Sequence, residues 1–91
     1  MHPSEIKPSL QKKLAKLAKR DKILYEAIIK KILGVKQTQD VVRYKNLRYD
    51  MKSSKRIHLG SFVLVFSYQE SNDLISFEDF DHHDNIYKKQ N

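Results

Sequence analysis

Two groups of side chains could carry acid–base chemistry. Arg56 and His58 stand two residues apart in a segment that alternates polar and apolar residues, so in a strand their side chains share one face. His82 and His83 are adjacent in a second group, and Tyr87 lies one helical turn beyond His83. Histidine titrates at about pH 6.5, so one imidazole can hold a proton while another accepts one.

These residue types suit the cleavage of RNA. RNA supplies its own nucleophile in the 2′-hydroxyl, so an enzyme needs a base, an acid and a cation that neutralises the phosphorane. Two histidines would serve as base and acid without a metal, and the cation would be Arg56, Lys45 or Lys55. Tyr87 could stack on a base or orient the phosphate.

The same residues also have plainer interpretations. A histidine beside an arginine on a strand is most often solvated surface, and His58 taken alone fits that description. His82 and His83 stand among acidic residues and could bind a metal. Adjacent side chains diverge, however, and zinc needs three or four convergent ligands, so we expect no metal site. The glycine-rich motifs of nucleotide hydrolases and dinucleotide oxidoreductases are absent, which argues against both activities.

Two helices are predicted in the first third of the chain. The first has Ser4 as its N-cap and ends near Arg20, with apolar residues at intervals of four and three. The second covers residues 22–33, with Asp21 as its N-cap and Gly34 as its C-cap. Such a short turn makes the two helices an antiparallel hairpin.

Three short strands are predicted after the helices. They cover residues 55–59, 62–66 and 74–80, with turns at 60–61 and 70–73 and a final helical turn over 84–88. Short loops join antiparallel neighbours, so the strands form a meander. The predicted fold class is therefore α+β, with the helical hairpin packed on one face of a small antiparallel sheet.

The meander predicts where the two histidine regions lie. The first and third strands flank the second, which places His58 and His83 on opposite sides of one strand, about 10 Å apart, with room for a phosphate. The central strand is apolar on both faces, with Val63 and Val65 on one of them. Two helices cover only one face, so the other must meet the C-terminal segment or a bound partner.

The charge of the chain is uneven along its length. Its 91 residues carry a net charge of +7, with +6 over residues 1–35, +5 over 36–60 and −4 over 61–91. A basic surface of this kind predicts a polyanion or an acidic protein as partner. The length fits a single domain over residues 1–91. With no cysteine and no apolar run of membrane-spanning length, we expect a cytoplasmic protein without a membrane partner.

The order of these segments resembles the RelE/ParE toxin superfamily. It is closest to the RelE/StbE-type mRNA interferases, including archaeal RelE and the YafQ-like branch, and the resemblance covers nearly the whole chain. The motifs that carry it follow the helical hairpin: Tyr44-Lys45-Asn46-Leu47, Arg56-Ile57-His58-Leu59, residues 61–66 and residues 77–88.

The resemblance implies the toxin of a type II toxin–antitoxin pair. Such a toxin enters the ribosomal A site, cuts the bound mRNA and is silenced by an acidic RelB-like antitoxin that wraps it in a hetero-oligomer. By motif, His58 and His83 match two histidines of the YafQ-like branch, and Tyr87 matches its C-terminal aromatic residue. The fourth catalytic candidate is Arg56, which falls at a strand position where RelE proper has a basic residue. The candidates for binding mRNA or ribosomal RNA are Lys45, Lys52, Lys55, Ser61 and His82.

The chain departs from the family pattern at several places. Val63 stands where many RelE toxins have arginine, and Ser61 stands where the YafQ-like branch has an acidic residue. Lys45 stands where that branch has a further histidine. The segment before the first helix is also too short for the strand that usually opens this fold.

Two other functions stay open at this stage. A ParE-like toxin on the same scaffold would inhibit a DNA topoisomerase and cleave nothing, so it would not need His58 and His83 in one site. A basic RNA-binding module would carry its histidines incidentally. Cuts in mRNA that follow the codon phase would distinguish the interferase from both.

Overall fold

A computed structural model describes residues 2–38 and 54–89 of the chain, with side chains through Ile86. Within these residues the fold class is α+β, as predicted. The elements in chain order are β1 (Ser4–Ile6), α1 (Pro8–Arg20), α2 (Lys22–Gln37), β2 (Ser54–Leu59), β3 (Phe62–Gln69), β4 (Leu74–His82) and α3 (His83–Lys89). None of the described helices is long and apolar enough to cross a membrane.

The four strands form one sheet in the order β1-β4-β3-β2. The last three strands pair antiparallel, which confirms the predicted meander and places β2 and β4 on either side of β3. The turn between β2 and β3 contains Gly60 at φ +60°. Glycine suits this left-handed conformation because it has no Cβ to clash with the following carbonyl.

The strand β1 corrects three predictions: that Ser4 caps a helix, that the segment before the first helix is too short for a strand, and that the sheet is antiparallel. Ser4 is not a helix cap but the first residue of β1, and β1 pairs in parallel with β4 through Ser4↔Ile75 and Ile6↔Phe77. The Lys7 N–H extends this pairing by donating to the Phe77 carbonyl at 2.9 Å. The sheet is therefore mixed rather than antiparallel. Three residues are too few for a periodic pattern, and their partner lies at the other end of the chain, so no local signal indicates this strand.

The helices α1 and α2 form the predicted pair, with one boundary different. Asp21 is the N-cap of α2, since its carboxylate accepts a hydrogen bond from the Leu24 N–H at 3.1 Å. Gly34, predicted as the C-cap, lies inside α2, which continues to Gln37. Val35 is fully buried, and its burial contributes roughly 2 kcal/mol. That gain outweighs the cost of about 1 kcal/mol for a glycine inside a helix.

The main core lies between the helices and one face of the sheet. Apolar stripes on α1 and α2 meet side chains of β3 and β4 there. Its buried members are Leu10, Leu14, Ile28, Ile32, Val35, Leu64, Phe66, Ile75, Phe77 and Phe80.

A bulge in β4 decides which of its side chains face the helices. The register between β3 and β4 skips Glu78. Strict alternation would put Phe77 and Phe80 on opposite faces, and the extra residue lets both join the core. The same shift places Asp79 and Asp81 on the other face, opposite Val65 and Val63 respectively.

That second face has its own small cluster. Val63 and Val65 are buried there together with Ile86 of α3, which is only 1% exposed. The sequence left open whether the C-terminal segment or a partner covers this face. Among the described residues, the cover comes from the C-terminal helix α3.

Candidate active site

The face under α3 carries Arg56 and His58 of β2. In the sheet register His58 lies opposite Val63, and Arg56 lies opposite Val65. Residues directly opposite each other in an antiparallel pair share a face, so both polar side chains border the valine cluster. His58 is exposed and Arg56 is half-buried, as the alternation of this strand predicted.

His83 stands at the junction of β4 and α3. Its N–H donates to the Ser61 carbonyl at 2.8 Å, which fixes the start of α3 to the turn between β2 and β3. Its imidazole is 49% exposed, and Nδ1 lies 3.0 Å from a carboxylate oxygen of Asp84. Ser61 was predicted to bind substrate, but its contact with this site is the backbone carbonyl that positions His83.

His58 and His83 lie near one end of the sheet, on the two strands that flank β3 and at their ends. Val63 is opposite His58 on one side and opposite Asp81 on the other, and Asp81 precedes His83 by two residues. Two strand spacings separate β2 from β4, about 10 Å. The helix that begins with His83 packs through Ile86 on the face that carries Val63. Neither histidine is buried, and their joint action on one phosphate stays a prediction.

His82 lies on the other side of the sheet end from His58. It is opposite Phe62, and the two rings meet edge to face with centroids 5.8 Å apart. The His82 and His83 rings are 5.5 Å apart, so the two neighbours remain in contact although they point differently. His82 Nδ1 accepts a hydrogen bond from the Asp84 N–H at 3.2 Å.

The remaining predicted site residues divide into two groups. Lys55 alternates with Arg56 and so lies on the helix-facing side of β2, where it is only 9% exposed. It faces away from His58, and its contact with the phosphate stays a prediction. Lys45 and Lys52 lie outside the described residues, as does the side chain of Tyr87, although the backbone of that tyrosine is part of α3.

Sequence reasoning missed an ion cluster beside the site. Lys13 of α1 donates to Asp79 at 2.6 Å, to Asp81 at 3.3 Å and to the Phe80 carbonyl at 3.2 Å. Beyond the short β1, none of the described strands pairs with this edge of β4, and the lysine covers it. The partners are more than sixty residues apart in the chain, so no local pattern indicates their contact.

Asp81 is the centre of this cluster. Burial alone would raise the pKa of its carboxyl group. The hydrogen bonds from Asn85 and from the His82 N–H, together with the charge of Lys13, outweigh burial and lower the pKa to about 2. Asp81 is thus ionised, and Lys13 offsets part of its negative charge.

Among the side chains that the structure describes, one group has the geometry to hold an ion. The ligand atoms of His82, His83 and Asp84 lie within 4.8 Å of one another. This differs from the expectation that adjacent side chains diverge. The three residues are consecutive, and His83 and Asp84 are exposed, a common surface arrangement, so we assign no metal to them.

A second titratable cluster lies at the other end of β4. The His2 imidazole contacts the Thr38 carbonyl through one nitrogen and the Asp73 carboxylate through the other. Both partners are acceptors, so the protonated ring fits best. The hydrogen bond to Thr38, followed by that to Asp73, raises the pKa of His2 above its usual 6.5. Hydrogen bonds from Tyr68 and His2 lower the pKa of Asp73.

Sequence comparison finds two full-length relatives, while no family model matches the chain. A protein of Methanocaldococcus jannaschii named as a candidate toxin, RelE4, is 53% identical over 91 residues, covering 99% of this chain and 95% of the relative. An uncharacterized protein of Methanosarcina mazei is 41% identical over 88 residues, covering 96% of this chain and all of the relative.

Structure comparison finds the same fold in two bacterial proteins. The isolated RelE toxin of Escherichia coli superposes with a TM-score of 0.73 at 15% identity, over 99% of this chain and 95% of that one. A chain of the RelBE2 toxin–antitoxin complex of Mycobacterium tuberculosis gives a TM-score of 0.69 at 16% identity, over 89% and 96%. At such low identity these likenesses establish the fold alone.

Proposed function

The chain belongs to the RelE toxin family, and on that premise we propose that it is the toxin of a toxin–antitoxin pair that cleaves ribosome-bound mRNA. The observation that carries this proposal is the placement of His58 and His83. Both are exposed near one end of the sheet, His58 on β2 and His83 directly after β4, on the two sides of β3, and Arg56 shares the face of His58. A ribonuclease that uses the RNA's own 2′-hydroxyl needs two proton-transfer groups and a cation in such an arrangement.

The proposed reaction needs no metal. One histidine takes the proton of the 2′-hydroxyl as its oxygen attacks the adjacent phosphorus. The other histidine gives a proton to the 5′-oxygen as its bond to phosphorus breaks, which leaves a 2′,3′-cyclic phosphate and a 5′-hydroxyl. The order of the two histidines is left unassigned. Arg56 stabilises the charge of the phosphorane, and we place Tyr87 beside the base.

Further substrate contacts are proposed on the basic part of the chain. Lys45 and Lys52 would bind phosphates of the mRNA or the ribosomal RNA, and His82 would line the path of the strand. Lys13 weakens the repulsion between these phosphates and the nearby carboxylates of Asp79 and Asp81, because it pairs with both of them.

We propose an acidic RelB-like antitoxin as the protein partner. The net charge of +7 favours an acidic protein that covers the basic surface. The complex would form in the cytoplasm, where ribosomes are, and residues 1–91 would act as one toxin domain. Binding of the antitoxin alone does not test the nuclease, since non-cleaving toxins of this superfamily would have one too.

The test replaces each histidine with a residue that keeps polarity but transfers no proton. His58→Gln and His83→Gln should each lower cleavage of ribosome-bound mRNA by about 10²-fold or more. Lys30→Gln, on the exposed face of α2, is the control and should cleave normally. Cleavage within a factor of about three of wild type in both variants would remove the site. DNA damage without mRNA cuts would favour the ParE-like alternative.

A further inference from the structure

A cleft lies between α1 and the end of the sheet, on the opposite side from His58. Its volume is about 280 Å³. Four side chains of α1 and three of the sheet line it: Lys13, Lys16, Leu17, Arg20, Phe62, Phe80 and Asp81. The mechanism proposed above uses none of the α1 residues as substrate contacts.

Two cations at the rim of this cleft are available to a ligand. Lys16 and Arg20 are exposed and, like Lys13, lie on the sheet-facing side of α1, because intervals of three and four bring residues onto one helix face. Lys13 already forms ion pairs with Asp79 and Asp81. Within residues 2–38 and 54–89, Lys16 and Arg20 form no ion pair. The rim therefore offers positive charge that the described part of the fold does not use.

The floor of the cleft is aromatic. The Phe62 and Phe80 rings stack with centroids 5.2 Å apart and planes 11° from parallel. Phe62 is half-buried, so part of its ring remains accessible to a ligand. The His82 ring meets Phe62 at 5.8 Å and the His83 ring at 5.5 Å. A continuous row of rings thus leads from the cleft to the proposed catalytic histidine.

We propose that this cleft holds an unpaired nucleotide of the RNA strand, next to the nucleotides bound at the scissile phosphate. Lys16 and Arg20 bind phosphates, and the base packs against Phe62. Positive side chains beside an accessible aromatic ring are the features that bind single strands, because every unpaired base has a face that can stack. A duplex hides its bases and could not place one against Phe62. This inference rests on the proposed function and adds a second contact point for its substrate.

The test measures binding of a single-stranded RNA of about 12 nucleotides by fluorescence anisotropy. The RNA carries 2′-O-methyl groups, so that it cannot be cleaved. Each phosphate contact contributes about −0.7 to the slope of log affinity against log salt for a single strand. The double variant Lys16→Ala/Arg20→Ala should lower the magnitude of the slope by about 1.4 and weaken binding roughly 25-fold at about 0.1 M salt.

A matched double variant controls for charge. Lys30→Ala/Lys31→Ala removes two positive charges beside a different groove, between α2 and β2, and should leave the slope unchanged. Phe62→Leu keeps an apolar side chain but removes the ring, so it should weaken single-strand binding about fivefold or more without changing the slope.

Several results would overturn the proposal. These are equal slope changes in the two double variants, equal affinity for an RNA duplex of the same length, or no measurable binding by wild type at roughly 0.02 M salt. If an acidic protein partner covers Lys16 and Arg20, and their substitution leaves the RNA affinity unchanged, the cleft belongs to that partner instead. Because the RNA cannot be cut, these outcomes are independent of whether His58 and His83 catalyse cleavage.

Discussion

The carboxylate of Asp81 predicts a defined dependence of stability on pH. It joins three elements, since Lys13 of α1 and Asn85 of α3 both donate to it and it accepts the N–H of His82 at the end of β4. The change Asp81→Asn keeps the size of the side chain and removes its charge. It should therefore loosen the attachment of α3, the helix that begins with His83.

The size of this effect follows from the pKa of Asp81. Lowering the pKa from 3.8 to about 2 corresponds to about 2.4 kcal/mol of stability. The Asp81 side chain is 28% exposed and that of Lys13 is 38% exposed. Solvent weakens ion pairs of this kind, so we expect about 1 to 2 kcal/mol. Because the folded-state pKa lies below the unfolded value, the contribution is complete above about pH 5 and is lost as the pH falls towards 2.

Urea unfolding followed by circular dichroism measures this contribution. At about pH 7 the Asp81→Asn variant should be less stable than wild type by about 1 to 2 kcal/mol, and at about pH 3 by half as much. Glu26→Gln, an exposed position on α2, is the control and should change stability by less than about 0.5 kcal/mol at either pH. A difference between wild type and Asp81→Asn that stays constant from pH 7 to about pH 3 would refute the reasoning.

Two further predictions concern the fold. The raised pKa of His2 means that its pairing with Asp73 stabilises the protein fully below about pH 6.5 and less as the pH rises above it. The urea midpoint should fall over that range in wild type and stay level in His2→Gln. Gly60→Ala should cost about 1 kcal/mol because φ is +60° there, whereas Gly34→Ala, inside α2 with open space around the added Cβ, should stabilise by up to about 1 kcal/mol. Shifts of the urea midpoint in the same direction for Gly60→Ala and Gly34→Ala would contradict this.

The parts of the fold that sequence reasoning predicted have local signals. The apolar stripes of α1 and α2, the N-cap Asp21 and the alternation of β2 each depend on residues a few positions apart. The apolar run of β3 also predicted that both of its faces are covered, and Val63 and Ile86 confirm it. For these helices and strands, the spacing of apolar residues that indicates the element also indicates which face it buries.

The parts that were missed depend on distant residues or on competing energies. The strand β1 exists because β4 offers it an edge, and Lys13 finds its carboxylates across the fold. The helix α2 passes Gly34 because the burial of Val35 outweighs the preference of glycine for a helix end. For the site, alternation along β2 predicted that Arg56 and His58 share one face, and their register opposite Val65 and Val63 agrees. The same alternation puts Lys55 on the helix-facing side of the strand, which depends on where the helices pack and not on the strand alone.

The most direct test of the proposed nuclease is the mapping of mRNA 5′ ends on ribosomes supplied with the purified toxin and a chelator. Wild type should produce cuts in phase with the codons, and both His58→Gln and His83→Gln should reduce those cuts by about 10²-fold or more while unfolding at the same urea midpoint as Lys30→Gln. Codon-phased cuts at wild-type levels in both histidine variants would show that these residues do not form the catalytic site.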